Sequence, residues 1–220
     1  MNRKALVAEF IGTFTLIFIG VGAIAADTIT GGKVGLTGIA LAHGLALVVM
    51  ITATAAVSGG HLNPAVTISL WSIKKIDTAN AGLYVLAQCL GATFAAAILR
   101  CVLPADVVAT IHLGTPALGQ GISYGMGLIT EIVLTFFLVL SVLGTAVDSR
   151  APKCGGLFIG LAVTMDILMG GPITGAAMNP ARYFGPAVLD GGFTNCGVYW
   201  IGPIIGGIIA AFVYKTQLEK

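Results

Sequence analysis

The sequence predicts an all-α membrane protein with six transmembrane helices and two re-entrant half-helices in an inverted repeat. Of its 220 residues, 57% are hydrophobic and 9% are charged, whereas soluble domains carry about a quarter charged residues. Six apolar segments are long enough to cross a bilayer. A nine-residue motif containing Asn-Pro-Ala occurs twice, and such repetition indicates an internal duplication.

The transmembrane helices are predicted from the apolar segments. A helix needs about 20 apolar residues to cross a bilayer, and fewer where the membrane thins around it. Six segments meet this requirement: Ala5–Ala26, Gly35–Val57, Ala81–Leu103, Ile122–Val147, Gly155–Gly170 and Val198–Tyr214. The first resembles a signal peptide, but it has no clear cleavage site, so we interpret it as the first span.

Two shorter helices are predicted at the two copies of the motif, Ser58–Val66 and Thr174–Arg182. Pro favours the first position of a helix and keeps the residue before it out of the helical region, so each Asn caps a helix that begins at the next residue. The segments Asn63–Lys74 and Asn179–Asp190 each hold about 10 residues, or about 15 Å of helix, which is half of a hydrocarbon core. Backbone that stops at this depth must line a cavity or be buried in protein.

The basic residues predict the orientation of the chain. Six spans place both termini on one side, and all but three of the eleven Lys and Arg residues fall there, which makes that side cytoplasmic. These basic residues are Arg3, Lys4, Lys74, Lys75, Arg150, Lys153, Lys215 and Lys220. We therefore expect a single domain, 1–220, whose inverted halves, about 1–103 and 122–220, are joined by an outer loop, 104–121.

The two halves match beyond the Asn-Pro-Ala motif. Ala8–Phe14 in the first span is similar to Thr130–Phe136 in the fourth, and Tyr84–Ala92 is similar to Tyr199–Gly207. Inverted repeats with broken helices place the functional site near the middle of the membrane, where the halves meet. The two half-helices are therefore expected to form that site.

Both half-helices point their N-termini at the centre of the membrane. Each N-terminus presents unpaired N–H groups and about half a positive charge, which repels a cation or a hopping proton but not an uncharged molecule. The amides of Asn63 and Asn179 supply donors for a passing oxygen. This arrangement predicts a pore for neutral solutes with an electrostatic barrier to ions.

The residues with the clearest resemblance to a known family are the two Asn-Pro-Ala boxes, the Arg after the second box, and the Glu of spans one and four. They are Asn63, Pro64, Ala65, Asn179, Pro180, Ala181, Arg182, Glu9 and Glu131. On these residues the chain resembles the aquaporin (major intrinsic protein) family from Ala8 to about Tyr214. The resemblance implies six tilted helices, two half-helices that meet at their prolines, and a homotetramer with one pore in each subunit.

The resemblance also implies a four-residue selectivity filter, here His43, Ile167, Ala176 and Arg182. The cation of Arg182 would face the outer vestibule and repel cations. Water-only members carry an aromatic at the first position and a His at the second, and glycerol channels carry a Trp at the first position and an Asp directly after the Arg, where this chain has Tyr183. The set resembles instead the plant vacuolar (tonoplast) branch, which passes water and, in some members, ammonia.

Six further residues carry separate expectations. A loop His joins the filter in the plant branch, and His112 is the candidate here, with an exposed loop His as the alternative. We interpret Glu9 and Glu131 as acceptors that hold the half-helix loops, because a proton relay inside the membrane would defeat proton exclusion. Asp166, beside the filter position, has no assigned role beyond pairing with a neighbouring span. Cys101 and Cys196 both face outward, and whether they pair stays open.

The leading interpretation is a passive channel for water, and for ammonia or other small neutral solutes, that excludes protons and ions. The alternatives are a small-polyol facilitator and an ion-coupled secondary transporter, which would need an ion-binding group at the midplane. No enzyme motif, metal-ligand spacing or basic run occurs in the sequence, so we expect no enzymatic activity, cofactor, metal or nucleic-acid partner. The short loops and tails favour an integral, multi-pass protein of the plasma membrane with both termini cytoplasmic.

Overall fold

The structure is a computed structural model that describes residues 2–151 and 154–219, and within these ranges the chain folds into helices and connecting turns. The described residues form nine α-helices: α1 (Arg3–Ile29), α2 (Gly35–Ser58), α3 (Pro64–Ser72), α4 (Thr78–Val102), α5 (Ala105–Thr110), α6 (Tyr124–Val142), α7 (Gly155–Thr174), α8 (Pro180–Asp190) and α9 (Cys196–Val213). Six of them, α1, α2, α4, α6, α7 and α9, are long and apolar enough to span a membrane. The predicted fold class is confirmed, with α3 and α8 as the half-helices.

The observed helices differ from the predicted segments mainly at their ends. The fifth span is predicted to end at Gly170, and this is wrong by one turn, because α7 continues through Pro172 to Thr174. A proline near the end of a helix removes one hydrogen bond of the ladder, and α7 stops only at Gly175, whose φ of 80° is left-handed. The predicted outer loop, 104–121, also contains α5 and a 3₁₀ turn at His112–Gly114.

Corresponding helices of the two halves cross at glycines. A side chain on Gly91 of α4 would lie closer than van der Waals contact to the carbonyl oxygen of Phe10 on α1. Gly206 of α9 has the same relation to the carbonyl oxygen of Ile132 on α6. Since these residues match in the sequence repeat, both halves use one way of bringing two helix backbones into contact.

One end of the bundle is held by charged and hydrogen-bonded contacts of the C-terminal segment. Asp148, after α6, accepts hydrogen bonds from the guanidinium of Arg150 and, at 2.8 Å, from the hydroxyl of Tyr214. These hydrogen bonds hold the pKa of Asp148 well below its usual value. Lys75, after α3, forms an ion pair with Glu219 at 3.2 Å. The predicted basic residues of this side that lie outside the described residues are Lys153 and Lys220.

Candidate pore

The N-termini of α3 and α8 meet inside the bundle, and each is capped by the Asn that precedes it. Asn63 is extended, with φ −159° and ψ 122°, and its side-chain oxygen accepts a hydrogen bond from the amide of Ala65 at 2.8 Å. Asn179 is also extended, and its oxygen accepts from the amides of Ala181 and Arg182 at 3.0 and 3.3 Å. Each Asn therefore uses its oxygen to satisfy the first N–H groups of its own half-helix.

The nitrogens of the two Asn side chains cross between the halves. Nδ2 of Asn63 donates to the carbonyl of Met178 at 2.9 Å, and Nδ2 of Asn179 donates to the carbonyl of Leu62 at 3.0 Å. An amide nitrogen carries two hydrogens, and these are the hydrogen bonds that each nitrogen makes within the described residues. Both Asn residues line a cavity, so each has one N–H left to donate a hydrogen bond to a molecule in the cavity.

Glu9 supports the loop that leads into the first half-helix. This fully buried carboxylate accepts hydrogen bonds from the Ser58 hydroxyl at 2.6 Å and from the amides of His61 and Leu62 at 3.0 and 2.6 Å. The side-chain amide of Gln88 donates a fourth, at 2.7 Å. These four donors engage both carboxylate oxygens and hold the loop against α1.

Glu131 makes the corresponding contacts in the second half. It is also fully buried, and it accepts from the Thr174 hydroxyl at 2.6 Å and from the amides of Ala177 and Met178 at 2.9 and 2.7 Å. A Pro occupies the position that matches Gln88, so Glu131 lacks the fourth donor. Apart from that difference, both carboxylates hold their loops through the same set of backbone and hydroxyl donors.

These loops are strained, which explains why they need such support. Leu62 and Met178, one in each loop directly before the Asn, both have a φ of 51°, and Ala176 has a φ of 44°. Left-handed backbone at residues other than Gly costs energy and persists only where the surroundings enforce it. The carboxylates of Glu9 and Glu131 bind the amides of Leu62 and Met178 and so hold both residues in this conformation.

The cavity between the halves is narrow and mostly apolar. The space open to the centres of water molecules is about 30 Å³, and a single ordered water needs at least about 10–15 Å³ of such space. Its apolar wall includes Leu16, Leu47, Ile51, Val66, Leu138, Val142, Ile159 and Val163. Polar groups interrupt this wall at His43, His61, Asn63, Asn179 and Arg182. The cavity therefore has room for only a few water-sized molecules and offers them few polar partners.

All four predicted filter residues line this cavity: His43, Ile167, Ala176 and Arg182. Arg182 is 4% exposed, and its Nη1 donates to the carbonyl of Gly114 at 2.6 Å. Nδ1 of His43 lies 2.9 Å from the carbonyl oxygen of Ile39. Because a carbonyl can only accept, Nδ1 carries the hydrogen in this arrangement and Nε2 has the free lone pair. The two polar residues of the predicted filter are thus each held by a backbone carbonyl.

The structure does not bring His112 into the filter. Its side chain is 75% exposed, and Nδ1 lies 3.7 Å from a carboxylate oxygen of Asp190 at the end of α8. The loop turns sharply here, with positive φ at His112, Leu113 and Gly114, and this turn buries Leu113 while His112 points outward. The loop contacts Arg182 through the Gly114 carbonyl instead, and no sequence motif marks Gly114 for this contact.

The remaining candidates form no partnerships within the described residues. Asp166 is 2% exposed, and its Oδ2 has no hydrogen-bond partner, so the pairing with a neighbouring span is absent there. The four cysteines, Cys89, Cys101, Cys154 and Cys196, are all free thiols in the structure. Cys101 and Cys196, whose pairing the sequence left open, are therefore not joined by a disulfide in this structure.

Comparison with known proteins agrees with this geometry. The family model described as "Major intrinsic protein" matches residues 1–214. The chain is 45% identical over 218 residues to "Aquaporin TIP4-4" of Zea mays, covering 96% of this chain and 85% of that protein. It is 42% identical over 219 residues to "Probable aquaporin TIP-type" of Antirrhinum majus, covering 96% and 86%. The X-ray structure of the aquaglyceroporin from Plasmodium falciparum superposes with a TM-score of 0.90 at 28% identity, covering 99% of this chain and 97% of that one.

These similarities confirm the family that the Asn-Pro-Ala boxes indicated, and the plant relatives named here are TIP (tonoplast) aquaporins, the branch that the filter residues resemble. Members of the family move water and small solutes across membranes, and they are passive channels and not enzymes. The chain therefore belongs to the major intrinsic protein family, as an integral, multi-pass aquaporin-type channel.

Proposed function

We propose that this protein is a passive channel for water that excludes protons and other ions. The observation that carries the proposal is the pair of Asn side chains, each with one N–H free at the cavity. An oxygen that accepts from both amides has both lone pairs engaged, so it has no acceptor site for a hopping proton. The positive N-termini of the two half-helices add a field that opposes any cation at the same point.

The few polar groups in the otherwise apolar wall support water as the main solute. A water molecule in a narrow cavity loses most of its neighbours, and the loss is tolerable only where fixed polar groups replace them. Asn63 and Asn179 supply donors, and the loops beside them present His61 and Met178 to the same cavity. An ion would lose a whole hydration shell here and regain far too few partners, so the apolar wall discriminates against ions as well.

The filter residues support a second solute, ammonia. Ile167 is apolar where the filter of water-only channels has a His, and Ala176 is small. The opening is therefore wider and less polar than the filter of water-only channels. His43 and Arg182 both line the cavity, the first with an imidazole nitrogen that can accept and the second with donors, so a small molecule that both donates and accepts hydrogen bonds is stabilised there. We therefore assign the filter role to His43, Ile167, Ala176 and Arg182, and ammonia as a solute beside water.

Glycerol transport is the second candidate, because the aquaglyceroporin from Plasmodium falciparum has the same fold at 28% identity. Residue 183 argues against it. Glycerol channels place Asp after the filter Arg, whereas Tyr183 here is fully buried, stacks on Tyr199 at 4.7 Å between ring centroids, and donates its hydroxyl to Thr194. An ion-coupled transporter is disfavoured because Glu9 and Glu131 are engaged by loop donors.

The proposal also covers the oligomeric state of the protein and its orientation in the membrane. We assign the protein to a homotetramer in the bilayer, with halves 1–103 and 122–220 about the central cavity. The orientation with both termini in the cytoplasm is supported by Lys75 and Arg150, which lie at the same end of the bundle as the C-terminal segment. The plasma membrane predicted from the short loops has no support among the relatives, which are tonoplast (TIP) proteins, so the proposal is confined to the orientation.

Osmotic shrinkage of proteoliposomes tests the main proposal. Vesicles with the purified protein should shrink several-fold faster than empty vesicles of the same lipid when external osmolarity rises. The same vesicles in a proton gradient should hold it as long as empty vesicles do. Water flow equal to that of empty vesicles would refute the water channel, and rapid loss of the proton gradient would refute proton exclusion.

His43→Phe tests the ammonia assignment. The ring of Phe fills the place of the imidazole but removes its lone pair, so ammonia flux, read from internal pH in an ammonium gradient, should fall roughly tenfold. Water flux should change far less, because the Asn pair is intact. The matched control is Leu45→Phe on the same helix, whose side chain is 58% exposed and away from the cavity. An ammonia flux in His43→Phe equal to that of the control would remove His43 from the proposal.

A further inference from the structure

Gly20 of α1 lies directly behind the ring of His43. A Cβ added at Gly20 would lie closer than van der Waals contact to three ring atoms of His43, with Cε1 at 2.8 Å. The imidazole therefore occupies the volume that any side chain at position 20 would need. Gly20 itself is buried and does not line the cavity.

Two neighbours restrict the position of the His43 ring. Nδ1 is held by the carbonyl of Ile39 one turn earlier on α2, and the backbone of Gly20 closes the side towards α1. The imidazole belongs to a residue that also lines the cavity. A methyl group at position 20 would push the imidazole, which is the movable end of a side chain, and the open direction is into the cavity.

Val21, the next residue of α1, packs against the loop residue that holds Arg182. A Cβ at Gly114 would lie 2.7 Å from Cγ1 of Val21, so the loop backbone rests on Val21 at the point where the Gly114 carbonyl accepts from Arg182. Gly20 and Val21 thus support His43 and, through Gly114, Arg182.

We propose that Gly20 is a positioning residue that sets the width of the filter by letting the imidazole of His43 recede from the cavity. The inference rests on the proposed filter role of His43. Gly20 acts through the ring and contacts no solute. The opening is therefore controlled by a residue outside the pore, on a helix that contributes no filter side chain.

Gly20→Ala tests the inference against Gly22→Ala on the same helix, where an added Cβ meets nothing within 4 Å. In proteoliposomes with matched protein content, Gly20→Ala should lower water flux roughly tenfold, equivalent to about 1.4 kcal/mol of added barrier. Gly22→Ala should leave the flux at the wild-type value. Wild-type protein without water flux would instead refute the proposed channel, which separates that failure from failure of this inference.

The decisive measurement repeats Gly20→Ala in a His43→Ala background, which removes the ring. The double variant should conduct like His43→Ala alone, because no imidazole remains to be displaced. If Gly20→Ala is unstable, recovery of a folded, conducting protein in the double variant supports the same conflict between ring and methyl. Equal loss in both backgrounds, unchanged flux in Gly20→Ala, or instability in both backgrounds overturns the inference.

Discussion

Arg182→Ala is expected to turn a channel for neutral molecules into one that leaks cations. Arg182 lies in the cavity wall, 4% exposed, with its guanidinium held by the Gly114 carbonyl. A cation about 4 Å from this group meets a repulsion of about 4 kcal/mol at an effective dielectric constant of about 20. Removing it should raise cation entry on the order of a thousandfold. It also leaves a wider opening, because Ala replaces the largest filter side chain.

The measurement is a potassium or sodium leak in proteoliposomes, together with uptake of a larger neutral solute such as glycerol. Arg182→Lys keeps the charge and should keep cation exclusion, which separates the effect of charge from that of size. Arg100→Ala is the control for removal of a basic residue away from the cavity, since Arg100 is exposed and its Nη1 donates to the Leu189 carbonyl. Cation and glycerol fluxes in Arg182→Ala equal to those of wild type would take Arg182 out of the filter.

The elements predicted from the sequence are those whose physical cause is local. Long apolar segments give the spans, and Pro64 and Pro180 each begin a half-helix because a proline is tolerated at the first helical position. Arg182 could be placed for the same reason, since two residues of helix separate it from Asn179. The end of α7 was predicted at Gly170, before the observed end at Thr174, because the apolar pattern does not show that the helix continues through Pro172.

The elements that the sequence did not reveal depend on contacts between distant parts of the chain. Gly114 accepts the hydrogen bond of Arg182 across 68 positions of sequence, and nothing in the residues around it marks it for that contact. Gly20 supports His43 only because α1 and α2 cross at that point. His112 was chosen by resemblance, and the left-handed turn that directs it outward has no signal in the sequence.

Glu9→Leu is expected to abolish the folded channel. The substitution leaves the hydroxyl of Ser58, the amides of His61 and Leu62, and the side chain of Gln88 without their acceptor. A buried donor without a partner costs about 1–3 kcal/mol, so the loss should be about 4 kcal/mol or more, a large part of the 5–15 kcal/mol typical of a whole domain. Leu62 would also lose the contact that holds its φ of 51°.

Thr13→Val provides the matched control. Thr13 lies one turn after Glu9 on the same face of α1, is fully buried, and has a hydroxyl with no partner within the described residues. The near-isosteric change should leave thermal stability in detergent and water flux close to wild type. A large loss of stability or water flux in Thr13→Val would mean that this region of α1 tolerates no change. The effect of Glu9→Leu would then not be due to the lost hydrogen bonds.

The two carboxylates should also differ from each other when only the charge is removed. In Glu9→Gln the new NH₂ group would face two donors, the amide of Leu62 and the side chain of Gln88, if the other oxygen keeps its own partners. In Glu131→Gln it would face one, the amide of Met178. Glu9→Gln should therefore lower the unfolding temperature more than Glu131→Gln. The reverse order would show that the carboxylate charge, and not the number of donors, determines how much each loop depends on its acid.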